Sequence, residues 1–260
     1  MINDISHELK QLLTKYPGDT KAALKEYPDI NYLYALSDMR ESLLEWYEFK
    51  PEGCLLQVGS DYGALTGLYS RRVSQVTVLE EHKENLEVNK LRHEHRNNIR
   101  FVQGNLESFH DTAYDYVVLV GSMTEDYKNQ IQQAKHFLKP DGVLILAVCN
   151  RLGLKYQAGA QPDQVRLYRE ELVSLLCGDN RDQGSAVFYY PMPDYRLPMT
   201  IYSDSYLPVK GDLTHTILAY DYPKYIRFDL GKMYDQVCEA GEFPNFANSF
   251  LTIWSRHEED

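Results

Sequence analysis

Cysteine is scarce and scattered. The chain has four, Cys54, Cys149, Cys177 and Cys238, and no C-x-x-C pair. That usage fits a reducing cytoplasm and gives no structural zinc site. Cys54 and Cys149 fall on expected core strands, where a thiol behaves as a small hydrophobe. Long apolar runs are also missing. Nothing approaches the ~18 residues that cross a bilayer, and the opening MINDISHELKQLL is charged and amphipathic rather than a signal peptide. Positive charge is short as well: Lys and Arg number 27 against 38 Asp and Glu, a net charge of −11. Binding to phosphates needs a basic face, so nucleic acid is not the main partner. The local basic cluster from Arg92 to Arg100, with His93 and His95, reads as a solvated helix end and turn. The eight histidines show no metal spacing; His93 and His95 stand at i, i+2 and do not share a helical face. Internal repeats and low-complexity tracts are absent.

What is present suits one α/β domain with an insertion or a small cap: 260 residues, 43% of them hydrophobic. The most informative stretch runs from Leu55 to Glu81. An apolar run (Leu55, Leu56, Val58) ends in a glycine turn, Gly59 to Gly63. A helical segment follows, then a second apolar run, Val76 to Leu79, which stops at Glu80 and Glu81. Strand, glycine loop, helix, strand and acid is how a doubly wound domain holds a nucleoside. Glycine lets backbone approach a ligand, a helix N-terminus offers free N–H groups, and the acid accepts from ribose hydroxyls. Glu80 comes first after the apolar run, so it is preferred over Glu81. The bland alternative is a plain strand-to-helix turn beside a solvated strand end.

Before this stretch the spacing predicts an amphipathic helix over Ile5–Tyr16, a short helix over Thr20–Glu26, and a helix from Ser37 to about Tyr47 with Glu41 placed for a capping box. After it, helices over Ala64–Arg72, His82–His95 and Asp126–Leu138 alternate with strands over Ile99–Gln103, Tyr114–Val120 and Val143–Val148. The unbroken YDYVVLV suits a parallel strand buried on both faces. Lys139-Pro140-Asp141-Gly142 reads as a turn. Five strands with intervening helices mean a parallel sheet with right-handed crossovers. The second half predicts a helix over Gln164–Cys177, a strand over Ser185–Tyr190, short helices around Leu213–Ala219 and Leu230–Ala240, and a last strand over Ala247–Trp254.

Five local features resemble the class I S-adenosylmethionine-dependent methyltransferases. QVGSDYG stands where that family has an acid and three alternating glycines. Glu80 stands at the ribose-binding carboxylate. Gly104-Asn105-Leu106 stands where Gly-Asp-x meets the adenine. Tyr114–Gly121 matches the fourth strand, whose end, Gly121-Ser122, faces the methionine part. Leu138–Leu146, LKPDGVLIL, matches the turn into strand five. The resemblance implies a Rossmann-like α/β fold with a seven-stranded, mostly parallel sheet. Its seventh strand is antiparallel and slots between the fifth and sixth. It implies an N-terminal helical cap over 1–50, the α/β domain over 51–192 and 246–260, and a tyrosine-rich insertion over 193–245. S-adenosylmethionine is then the cofactor and S-adenosylhomocysteine the product, with Gln57, Gly59, Ser60, Asp61, Gly63, Glu80, Gly104, Asn105, Leu106 and Gly121 lining the cofactor site. Arg40 and Glu41 would cap it.

Three positions depart from the family. Gln57 replaces the acid, Asp61 the middle glycine, and Asn105 the common aspartate. An amide keeps hydrogen bonding without charge. Losing a carboxylate beside a cationic group removes about 1–2 kcal/mol at intermediate dielectric, roughly tenfold in affinity. Asp61 either favours the cofactor's positive end or obstructs its approach.

SDMRESLLEWYEFKP, NRLGLKYQAGA, FYYPMPDYRLP and FANSFL further resemble a bacterial methyltransferase subgroup associated with surface-polysaccharide loci. That likeness implies a cytoplasmic enzyme in polysaccharide biosynthesis, a small-molecule or glycan-linked acceptor, and a glycosyltransferase partner or a homo-oligomer. The mouth of strand five supplies the catalytic candidates: Asn150 to orient a hydroxyl, Lys155 (with Arg151) for an anionic acceptor, and Tyr156 to stack on a sugar. The alternative for them is loop packing. The dense tyrosines (Tyr189, Tyr190, Tyr195, Tyr202, Tyr206, Tyr220, Tyr222, Tyr225) read either as a binding surface or as aromatic fastening of the insertion. A non-catalytic module of the same fold stays open as the second reading. A nicotinamide-dependent oxidoreductase is disfavoured, because the loop lacks G-x-G-x-x-G.

Overall fold

Capping and hydrophobic spacing set the first elements of the computed structural model, which describes residues 5–111, 113–161, 165–215, 220–221 and 226–257. In chain order they are α1 (Ser6–Lys15), α2 (Thr20–Glu26), α3 (Ile30–Leu36), a 3-10 helix (Asp38–Leu43), β1 (Cys54–Val58), α4 (Thr66–Arg72), β2 (Gln75–Glu80), α5 (Lys83–Arg92), β3 (Ile99–Gln103), β4 (Tyr114–Val120), α6 (Tyr127–His136), β5 (Leu138–Asn150), α7 (Leu154–Gln157), β6 (Arg166–Leu167), α8 (Arg169–Cys177), β7 (Ser185–Met192), β8 (Thr200–Ser203), α9 (Leu230–Glu239), α10 (Phe243–Phe246) and β9 (Ser249–Ser255). The chain divides into two compact units, 1–122 with 132–144, and 123–131 with 145–260. Strand β5 begins in the first and ends in the second.

In the first unit the strand order is β3-β2-β1-β4-β5, with β1 parallel to β2 and to β4, and β2 parallel to β3. The order reverses at β1. The carboxyl ends of β1 and β4 therefore flank the crevice that open α/β sheets use for ligands. Every residue of β4 is buried, as a strand covered on both faces requires. Ile5, Leu9, Leu12 and Leu13 form the buried stripe of α1, packed with Tyr32, Ala35 and Leu36 of α3 and Val88 of α5. Helix α3 was not foreseen; Asp29 caps it by accepting from Asn31 N at 2.8 Å.

In the second unit the order is β5-β9-β7-β8, with β6 parallel to β5. Strand β7 is antiparallel to both β9 and β8. The last strand thus lies between β5 and β7, the slot expected for a closing strand.

Four expectations are corrected. Among the described residues there are nine strands rather than seven. Strand β8 is one addition, formed because Thr200–Ser203 extends beside β7 with Tyr202 opposite Tyr190. Strand β6 is the other, within the span expected as the start of a helix; Glu171 accepts from Tyr168 N and begins α8 at Arg169. Lys139–Gly142 is an extended part of β5 rather than a turn. Lys139 pairs with Asp115 and Lys50 with Asp141, each at 2.8 Å. Gly142 stands there because an added Cβ would lie 2.9 Å from Tyr114 O. The helix from Ser37 shortens to one 3-10 segment: Ser37 caps Met39 N, but Glu41 turns away to Arg71. Gln164, Tyr222, Tyr225 and positions 216–219 of the helix expected near Leu213 lie outside the described residues.

His93 sits under the α4–α5 contact, 3.1 Å from where a Cβ on Gly67 would be. Burial, reinforced by Arg92, lowers its pKa from 6.5 to about 3. The unfolded chain therefore takes up a proton that the fold refuses, and stability is lost as pH falls from about 6.5 toward 3. Urea midpoints at pH 7 and pH 5 should differ more for the wild type than for His93→Gln, and equal differences would show that His93 is not the group responsible.

Candidate functional site

Strand β1 hands over to α4 through a loop whose glycines are fixed by packing. Gly59 has φ +68°, and a Cβ there would lie 2.4 Å from Ser122 Cβ. Gly63 has φ +81°, and its Cβ would lie 2.3 Å from Asn89 Oδ1. Both positions favour glycine in conformation and in space. A valine at Gly59 therefore strains the loop itself, so loss of ligand binding in such a variant would not isolate a ligand contact.

Glu80 is buried at the tip of β2. Its Oε2 accepts from Ser60 N at 2.7 Å and from Ser60 Oγ at 3.2 Å, and its Oε1 accepts from His82 N at 3.0 Å. Its own carbonyl accepts from Gly104 N at 3.0 Å. One residue thus gathers the loops that follow β1, β2 and β3. Asn105 closes a turn by accepting from Ser108 N through Oδ1 at 3.1 Å, and Leu106 is buried beside it. Gly121, φ +70°, ends β4, and Ser122 Oγ donates to Val58 O at 2.6 Å. Gln57 is buried, and its Oε1 accepts from Thr66 Oγ1 at 2.8 Å.

Two cavities in the first unit share Arg40, Asp61 and Ala64. The larger, about 410 Å³, extends past Tyr34, His82 and Asn85. The smaller is lined by Gln57, Gly59 and Ser60, and by Tyr69 and Val120. Arg40 Nε and Tyr69 Oη are buried with no hydrogen-bond partner among the described residues. Burying donors without acceptors is costly, so these two atoms mark an unsatisfied polar end of the crevice. Tyr69 was not singled out from the sequence; its place on the buried face of α4 is the one signal it carries.

The strand-five candidates fall in the second unit, within an internal network. Asn150 is fully buried; its Nδ2 donates to Asn245 O and Ala247 O, and its Oδ1 accepts from Leu152 N. Lys155 Nζ donates to Asp194 Oδ2 at 2.6 Å and Asp221 Oδ2 at 2.8 Å. Burial opposes its charge, and the two carboxylates outweigh burial, so its pKa is raised. Burial also opposes Asp194 ionising, yet Lys155 and its other partners hold the pKa below the usual carboxylate range. Tyr156 is pushed up, chiefly by burial. Asn248 accepts from Lys155 N and Tyr234 Oη and donates to Pro193 O. NRLGLKYQAGA, FYYPMPDYRLP and FANSFL, far apart in sequence, therefore meet around Lys155. Among the described residues no group of three His, Cys, Asp or Glu could hold a metal ion, and no helix is long and apolar enough to cross a membrane.

Residues 56–146 match the model of a methyltransferase domain. No curated protein matches the chain. Among solved structures, phosphoethanolamine N-methyltransferase 1 of Haemonchus contortus, in complex with phosphoethanolamine and S-adenosylhomocysteine, superposes with a TM-score of 0.55 at 12% identity over 100% of this chain. This chain spans about half, 51%, of that protein. An S-adenosylmethionine-dependent methyltransferase from Thermotoga maritima gives 0.53 at 12% identity, covering 95% of this chain and 99% of its own. The N-methyltransferase NodS from Bradyrhizobium japonicum gives 0.51 at 12% identity, covering 84% and 94%. The fold is that of S-adenosylmethionine-dependent methyltransferases, and S-adenosylmethionine is the cofactor with which the domain match and these neighbours agree.

Removing one partner of a buried ion pair strands the other charges, at a cost of about 3–5 kcal/mol. Lys155→Met should lower unfolding stability by that amount in urea titration, and a loss under ~1 kcal/mol, the worth of an exposed pair, would mean that the network is solvated.

Proposed function

We propose that the chain is an S-adenosylmethionine-dependent methyltransferase acting on a small-molecule or glycan-linked acceptor. The observation that carries this reading is the Glu80 cluster at the switch point of the first unit, set beside cavities holding unpartnered buried donors. S-adenosylmethionine supplies a methyl group on a cationic sulfur, and the protein has to align donor and acceptor and exclude water. Glu80 takes the ribose hydroxyls on its remaining lone pairs. Gly59, Ser60, Asp61 and Gly63 shape the loop beneath the ligand, with Gln57 and Gly121 beside it. Gly104, Asn105 and Leu106 meet the adenine. Asn150, Lys155 and Tyr156 support the acceptor side of the second unit by holding its segments in place. The acceptor's glycan character rests on the likeness of the motifs that meet around Lys155, and exposed tyrosines such as Tyr168 and Tyr206 support it.

A second reading, a non-catalytic module, is favoured by one feature: both Glu80 oxygens already accept from protein donors. Calorimetry with S-adenosylhomocysteine separates the two. The wild type should bind in the micromolar range, and Glu80→Ala should bind at least about tenfold more weakly through lost charge-assisted hydrogen bonds. Equal affinity in a folded Glu80→Ala variant would place the ribose elsewhere, and no wild-type binding at millimolar ligand would favour the module.

A further inference from the structure

We infer that Arg151 and Arg166 form the seat for an oxyanion of the acceptor, a carboxylate or a phosphate, with Tyr168 as an exposed aromatic wall beside it. This rests on the methyltransferase reading above and gives the chemical class of the molecule that such an enzyme would methylate.

Backbone pairing in the second unit puts the two arginines together. Strands β5 and β6 run parallel, with Cys149 opposite Arg166. Arg151 N donates to Leu167 O at 3.0 Å and carries the ladder past the end of β5. Arg151 is two residues beyond Cys149, so its side chain leaves the same face as that of Arg166. The pair stands at the carboxyl end of β5, where open α/β sheets leave room for ligands. Each guanidinium lies against a tyrosine. Arg151 Cζ is 4.7 Å from the Tyr168 ring centroid, and Arg166 Cζ is 4.9 Å from that of Tyr156. Arg151 is held further by Nε and Nη2, which donate to Arg166 O at 3.2 and 2.9 Å.

What this packing lacks is a counter-charge. The chain has 38 Asp and Glu for 27 Lys and Arg, and Arg71, Arg100, Arg169 and Arg181 each meet a carboxylate. Among the described residues neither Arg151 nor Arg166 has an ion pair, and nothing accepts from Arg151 Nη1 or from the Arg166 guanidinium. Lys155 does not serve instead, because Asp194 and Asp221 already match its charge. Both arginines are half-buried rather than enclosed, so a ligand can reach them. A guanidinium stacked on a ring still presents its N–H edge as a planar fork, which fits two oxygens of a carboxylate or phosphate. Tyr168, 41% exposed, offers ring surface to the body of the same ligand.

The test follows arginine Nε–H signals by NMR on the full chain, titrated with inorganic phosphate, glucuronate and glucose. Glucuronate shares the ring of glucose and adds a carboxylate. Phosphate or glucuronate should shift the Arg151 and Arg166 signals saturably, and glucose should leave them in place. The tighter of the two anions tells phosphate from carboxylate. Arg166→Gln should weaken that binding about tenfold, and Arg166→Lys, which keeps the charge but loses the fork, should fall between. Arg100→Gln removes the same charge from the first unit and should bind like the wild type. Melting curves report whether each variant is folded. Wild-type affinity in a folded Arg166→Gln, an equal loss in Arg100→Gln, or no saturable shift with either anion overturns the seat. Calorimetry with S-adenosylhomocysteine on the same samples tests the methyltransferase reading separately. Anion binding without cofactor binding keeps the site and removes its acceptor role, whereas cofactor binding without anion binding overturns the seat alone.

Discussion

The buried carboxylate of Glu80 accepts hydrogen bonds from Ser60 N and His82 N, while its main chain receives Gly104 N. Three loops that leave three adjacent parallel strands are therefore tied to one residue. Hydrogen bonds to a buried charge contribute about 1.5–3 kcal/mol each, enough to hold the crevice in one shape before any ligand arrives. The glycine loop follows from the same constraint. Gly59 N donates to Leu79 O at 2.8 Å, which brings the loop so close to Ser122 that no Cβ fits. Pre-formed loops favour binding, because ordering them as a ligand enters would subtract from affinity.

The second unit is organised by a different interaction, the Lys155 ammonium between Asp194 and Asp221. Asp194 also accepts from Tyr220 Oη and Arg196 N, both at 2.9 Å. A buried pair of this kind adds little over a well-packed apolar core, but it fixes which segments must meet. Here it collects the segments after β5, after β7 and before β9. Aromatic packing fastens the same region: Tyr190 of β7, Tyr202 of β8 and Tyr234 of α9 pack their rings around Phe243, so aromatic fastening explains these three.

Much of the first unit could be read from residue order, because each signal was local. Apolar runs ending at Val58, Leu79 and Val120 mark strands whatever lies beside them, and Glu80 is visible as the first polar residue after one. The parts that could not be read depend on partners distant in sequence. Lys139–Gly142 has the composition of a turn, and only the close approach of Tyr114 O and the pairing with Asp115 explain why it runs straight. The glycines at 59 and 63 suggest ligand contact, whereas the atoms they avoid belong to Ser122 and Asn89. Lys155 has the look of an exposed basic loop residue; its two acids lie 39 and 66 residues further on. Helix α3 was legible, with Asp29 as cap after Pro28, and was missed because the apolar residues that follow show no clear period.

A crystal structure of the chain with S-adenosylhomocysteine tests the central claim most directly. The account predicts the ribose hydroxyls on Glu80 and the adenine beside Asn105 and Leu106. A ligand seated away from Glu80, or a crevice left empty at saturating concentration, would contradict it.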